Sequence, residues 1–381
     1  MKYSEAAAKY NWIKVGDDDA LEFYCDNTIL SEFRNCQAYF VEARLNSIAH
    51  SGRAWSLEFG TWFHKCMELF YLHEKNNLAR VGGLTESTES INELMYPVTK
   101  GKFIAYGLQL WDEMDMDYFK DKHKNFKILN GNIGAASLLS DYWTVYGNGQ
   151  ERLRVIGMEL PFGRAKEVPI IEPGLEPEWL RDWQSKNYHG SEFRAYLTGR
   201  VDLMVDDLVS VSVIDHKTTA FFDGSESLKF IPNDGQRGYC YAANQMVQKL
   251  MPDKRCNRVL INHVCITDKY EKTGAKDVMK KDVKVADPQA RFTRTPITYT
   301  PEQLEEYLKI QQATFVSLYE FIINERPAQW NTNLCNNMYY KECPYKAIHG
   351  TSPTNRQTIV DAQYKKIEEW TPFHEDKKEI R

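Results

Sequence analysis

The chain has no apolar run long enough to cross a bilayer and no hydrophobic leader at its start, so the sequence predicts neither a membrane span nor an exported protein. It has no tandem repeat and no low-complexity tract, which excludes solenoid arrays and long disordered linkers. It also lacks an excess of positive charge, since 48 Lys and Arg against 53 Asp and Glu leave a formal net charge of −5. That balance excludes a protein that coats nucleic acid through bulk electrostatics. A disulfide framework is unexpected as well: the eight cysteines stand in a chain read as cytoplasmic, where thiols stay reduced.

What is present is a chain of 381 residues, enough to bury a sizeable core and, at roughly 100–200 residues per domain, to form two or three units. Helical patterns dominate the first part, over Asn27–Ser47, Ser56–Asn76, Ser87–Phe119 and Gly134–Tyr146. Strand patterns rich in Val, Leu, Thr and Tyr cover Arg154–Phe162, Tyr196–Val205, Val209–Thr218 and Asn257–Ile266. Asn233 or Asp234 can cap a helix running to about Leu250, and Thr300 one from Pro301 to about Asn324. From Thr351 onward the chain is charged without a clear period and reads as a tail or a short exposed helix. Four segments are therefore expected: a helical portion over 1–151, a strand-bearing core over 152–330, a Cys- and His-containing closing segment over 331–350, and a charged tail over 351–381.

The stretch Gly199-Arg200-Val201-Asp202, followed by Asp215-His216-Lys217, places two carboxylates and an amine on a predicted β-hairpin, with Asp206 and Asp207 tolerating the turn. Side chains alternate along a strand, so Asp215 and Lys217 share a face and His216 takes the other. In the register that unites the acids, Asp202 lies diagonally across from Asp215, roughly 7 Å away at Cβ, a span one cation can bridge. A slip of one residue would part them. These residue types suit phosphodiester hydrolysis. The substrate is anionic and repels hydroxide, so a cation held by carboxylates neutralises developing charge and lowers the pKa of the attacking water. A neighbouring amine orients that water or stabilises the transition state. Taken alone, an Asp-x-Lys triplet reads far more often as a solvated hairpin with chance acidic residues.

Two flanking helices add to the set. Gly60, His64 and Glu68 recur every four residues and share one face, as do Gln236, Tyr239 and Ala243. Gln and Tyr side chains donate to phosphate oxygens. Glu159, in the expected strand Arg154–Phe162, is open between a further acidic member of the site and a strand-edge acid that is simply solvated, the commoner case, and stands outside the main set.

In order along the chain, these motifs resemble the RecB-like branch of the PD-(D/E)XK nuclease superfamily: Gly60/His64/Glu68, then Gly199/Asp202, then Asp215/Lys217, then Gln236 with Tyr239. The last motif departs from the family, whose Gln-to-Tyr spacing is one residue longer, and leaves Tyr239 or Tyr241 as the counterpart. The resemblance spans roughly Phe33 to His349. It implies an α/β, restriction-endonuclease-like fold, a central mixed β-sheet flanked by helices with a helical N-terminal portion, the segment 152–330 being the nuclease core. It also implies Mg²⁺ or Mn²⁺ bound by His64, Asp202, Asp215 and the main-chain carbonyl of His216, with Lys217 catalytic, Gln236 and Tyr239 positioning DNA, and Glu68 behind the ligands. An imidazole among oxygen ligands suits Mn²⁺ at least as well as Mg²⁺.

Cys25, Cys66, Cys240, Cys256 and Cys265 read as small core or surface residues. Cys36, Cys335, Cys343 and His349 differ in context, because iron–sulfur relatives in the same family hold a 4Fe–4S cluster with one early and three late cysteines. Here His349 stands where the last cysteine belongs, and a Cys₃His set is open among a cluster, tetrahedral Zn²⁺ and a packed end without metal.

The function expected is a metal-dependent deoxyribonuclease, an exonuclease on DNA ends or single strands in recombination, repair or phage DNA metabolism, working as a homo-oligomer or with a recombination partner. The competing class is a DNA-binding or assembly subunit that keeps the nuclease fold without cutting. With bulk charge negative, local charge has to hold DNA. The basic stretch Lys269–Arg294 suits a phosphate backbone as well as it suits a solvated hairpin.

Overall fold

The structure is a computed structural model that describes residues 1–50, 53–79, 98–147, 153–175, 177–187, 192–207, 209–220, 230, 233–266, 288–337 and 342–373. Most of the basic stretch Lys269–Arg294 lies outside the described residues, as does the first third, 87–97, of the helix expected over Ser87–Phe119. The strands are β1 (Ile13–Val15), β2 (Leu21–Cys25), β3 (Ile48–His50), β4 (Arg154–Phe162), β5 (Pro169–Ile171), β6 (Phe193–Leu197), β7 (Gly199–Asp206), β8 (Val211–Thr219), β9 (Cys256–Cys265), β10 (Phe292–Thr298) and β11 (Tyr364–Lys366).

Two compact units form, each from separated segments: one from 1–52, 161–200 and 300–381, the other from 53–160 and 201–299. The second is built on a five-stranded mixed sheet in the order β10-β9-β8-β7-β4, with β8 parallel to β9 and antiparallel to β7. On one of its faces Leu203, Val205, Ile214, Val264 and Phe292 join a core with three helices, Trp55–Ala79, Lys100–Glu113 and Gly131–Tyr146. The helix Trp55–Ala79 is less amphipathic than expected. Trp55, Phe59, Trp62, Phe63, Phe70 and Tyr71 are all buried, so its apolar surface wraps beyond one stripe.

The other unit carries a four-stranded sheet, β1-β2-β6-β5, and a two-stranded one, β11-β3. The expected single strand Tyr196–Val205 is in fact two, because the chain leaves β6 at Thr198 and enters β7 at Gly199. Thr198 N–H donates to the carbonyl of Cys25, and a Cβ at Gly199 would stand 2.7 Å from Phe162 Cζ, a contact only glycine avoids. The helix expected over Asn27–Ser47 is interrupted at Cys36, whose backbone is extended. The stretch from Thr351 forms a short helix, Arg356–Gln363, and then β11, which pairs with β3. Among the described residues no helix is long and apolar enough to cross a membrane.

Candidate active site

β7 and β8 bring the two acids together. Their registered pairs run from Asp206↔Val211 to Leu203↔Ile214, so the ladder ends one residue short of Asp202 and Asp215. Asp207 shapes the turn, with its Oδ1 accepting from the N–H of Val209 at 3.1 Å and of Ser210 at 2.8 Å. Past Leu203↔Ile214 a side chain takes over from the ladder: His216 N–H donates to Asp202 Oδ2 at 3.0 Å.

Asp215 is 1% exposed and both its oxygens are engaged. Lys217 Nζ donates to Oδ1 at 2.8 Å and Gln236 Nε2 to Oδ2 at 3.0 Å. Gln236 reaches it from the helix Asp234–Leu250, whose first turn is capped by Asn233. The Lys217 ammonium is held in its charged form: burial works against the charge, and the carboxylates of Asp215 and Asp202 outweigh it. One turn on, Tyr239 is half-buried and Tyr241 buried, while the position the family motif gives to Tyr holds the buried Cys240.

His64 enters from the helix Trp55–Ala79. Its Nε2 lies 3.1 Å from the carbonyl oxygen of His216, and its Nδ1 lies 3.4 Å from Asp202 Oδ2 and 3.8 Å from Glu159 Oε1. Burial pushes Asp202 well above the usual carboxylate range, and the charge of Asp215 pushes the same way. His64 shifts toward its protonated form, because Glu159 and Asp202 together overcome burial. A place where burial and a neighbouring acid raise Asp202 and where acids hold a proton on an imidazole is a place that attracts a cation.

Among the described residues, His64, Glu159 and Asp202 are the one set of three such donors whose ligand atoms all lie within 4.8 Å of one another. Oxygen donors with one imidazole fit Mg²⁺ or Mn²⁺. The sequence left Glu159 open between a further acid of the site and a solvated strand-edge residue, and its carboxylate lies among these donors. It sits on β4, next to β7 in the sheet, in left-handed backbone at φ 47°, which breaks the strand's alternation locally and turns the carboxylate toward His64. An acid in an edge strand was its sole sequence signal. Glu68, expected behind the ligands, is exposed and stands outside the set; its charge is felt at Tyr106 instead.

In the other unit, Cys36, Cys335 and Cys343 are neighbours. Burial raises the Cys343 thiol, with Cys335 and Cys36 adding to it, and Cys343 N–H donates to the Cys335 carbonyl at 3.0 Å. His349 faces Glu42 at 3.7 Å, its ring 5.1 Å from that of Trp330. Their four ligand atoms do not form a closed set of the kind found at His64.

A family profile described as PD-(D/E)XK nuclease superfamily matches residues 28–348. No curated protein matches the chain. Among solved structures, one described as the crystal structure of SSO0001 is 11% identical, over 65% of this chain and 85% of that one, at a TM-score of 0.22. A superposition that loose bears no weight, whereas the profile spans most of the chain and takes in every residue of the His64 and Asp215 groups. On that match and the mixed sheet beneath it, the chain belongs to the PD-(D/E)XK nuclease superfamily, whose restriction-endonuclease-like α/β fold it carries and whose membership implies nuclease activity.

Proposed function

We propose that the chain is a metal-dependent deoxyribonuclease of the RecB-like branch, acting as an exonuclease on DNA ends or single strands. One observation carries this reading: His64, Glu159, Asp202, Asp215, Lys217 and Gln236 form one connected group on a single unit. His64, Asp202 and Glu159 would hold Mg²⁺ or Mn²⁺, with the His216 carbonyl beside them and Asp215 as the further acid. When bound, the cation neutralises charge on the phosphodiester and makes its water a better nucleophile.

The chain's own residues do the rest. Asp215 holds the Lys217 ammonium in place, and Lys217 orients the attacking water or meets the charge that builds on phosphorus-bound oxygen. Gln236 keeps the Asp215 carboxylate from turning away, and Tyr239 contacts the DNA backbone. Linear and circular DNA, each with Mn²⁺ or with EDTA, test the reading. Loss of linear DNA alone, only with metal, is the expected result. Binding of linear DNA with no cutting under Mn²⁺ or Mg²⁺ would point to the non-cleaving subunit.

A structural metal is the second element of the proposal. The neighbouring thiols of Cys36, Cys335 and Cys343 suit iron in a 4Fe–4S cluster or Zn²⁺, with His349 as the fourth donor that the resemblance implies. Elemental analysis of the purified chain is expected to return iron or zinc, and the absence of both overturns this element without touching the nuclease.

A further inference from the structure

Behind the site, three residues stand side by side across three strands: His216 on β8, Asn262 on β9 and Arg294 on β10, joined by the pairs His216↔Asn262 and Arg294↔Asn262. Cross-strand partners project to one face, and by strand alternation it is the face opposite Asp215 and Lys217. Asn262 is fully buried. Its Nδ2 lies 2.8 Å from His216 Nδ1 and 3.2 Å from the Tyr142 hydroxyl, and its Oδ1 accepts from Arg294 Nε at 3.4 Å. A guanidinium only donates, so the amide oxygen must face Arg294 and the amide nitrogen the imidazole. His216 Nδ1 is therefore an acceptor, and its ring proton sits on Nε2.

The chain of bonds continues outward. Tyr142 and Tyr71 share a hydroxyl contact of 2.8 Å, and Arg294 Nη2 donates to Tyr71 at 2.9 Å. Phe63 and Tyr71 pack on the His216 ring, with centroids 6.0 and 5.8 Å away. The same residue, His216, presents its N–H to Asp202 and its carbonyl to His64. Its strand segment lies beyond the last registered pair with β7 and has β9 alone as its ladder neighbour. Its orientation thus depends on what grips the ring.

We propose that Asn262, aimed by Arg294 and Tyr142, is a positioning residue of the metal centre: by gripping the His216 ring it fixes the peptide that bonds Asp202 and faces His64. This rests on the metal reading above. A buried group that orients the residues around a metal typically changes affinity without touching the ion.

The test is Mn²⁺ binding to the full chain without DNA, followed by electron paramagnetic resonance of the free ion, beside urea unfolding. Asn262→Leu roughly keeps the volume and removes the bond to the ring; it is expected to weaken Mn²⁺ binding about 10–100-fold. Tyr142→Phe removes a single hydroxyl, leaves the packing in place, and is expected to weaken binding about three- to tenfold. A merely structural role would shift the urea midpoint and leave the affinity of the folded protein unchanged. Should Asn262→Leu not fold, Tyr142→Phe decides. Wild-type protein that binds no Mn²⁺ overturns the metal reading and this proposal together. Wild-type binding that the variants match within about twofold overturns this proposal alone.

Discussion

Lys217→Ala is expected to lower the cleavage rate of linear DNA by about a hundred- to a thousandfold, the usual cost of removing a donor aimed at transition-state charge. Lys217 makes its contact at the end of a half-exposed side chain, through one bond to Asp215 at 2.8 Å. Its loss leaves β8 paired with β9 and leaves Gln236 on the other oxygen of Asp215, so the fold stays intact. Asp215→Ala should silence cleavage as completely, with a cost in stability, because it strands a buried Gln236 amide and an ammonium without their acceptor. Rates of nucleotide release under Mn²⁺, with circular dichroism as the check on folding, measure both. If Lys217→Ala protein kept a tenth of the wild-type rate or more, the amine would have no part in the chemistry.

Trp62→Ala is expected to cost about 3–5 kcal/mol of stability, the range for truncating a buried aromatic. Trp62 is fully buried, its ring centroid 5.2 Å from Phe59 and 5.4 Å from Trp111, and its indole N–H donates to the Gly107 carbonyl at 2.8 Å. Truncation removes the packing and the indole's bond to that carbonyl, which keeps its place in the helix Lys100–Glu113. Since Trp62 lies two residues before His64 on the same helix, the loss should also loosen the imidazole. A fall in urea midpoint, with a matching drop in activity near the midpoint, measures it. A loss below about 1 kcal/mol would mean the helix is held elsewhere.

Much of the site was legible because helix and strand periods are local rules. Four-residue spacing aimed His64 correctly, and alternation placed Asp215 and Lys217 on one face with His216 on the other. The same rule set Glu68 on the His64 face, where it is exposed. Residues four apart share a face but stand about 6 Å apart along the axis, so one can reach a compact site while the other does not. Glu159 was left open for a different reason. Its neighbour β7 is distant in sequence, and its left-handed backbone overrides the alternation that would have aimed it. The break at Thr198 was invisible because both sides of it have strand-forming residues, and the obstacle, Phe162, comes from another segment.

The sequence by itself determined the types of group available, their order, and which neighbours along one helix or strand point the same way. It thereby established the family and the hydrolytic chemistry that family implies. Only the tertiary structure decided that Glu159 joins His64 and Asp202, that the His216 N–H bonds the Asp202 carboxylate, and that Asn262 bonds His216 from behind. These contacts link residues from 14 to more than a hundred positions apart. Strand pairing and core packing select them collectively, and no local propensity encodes such a choice.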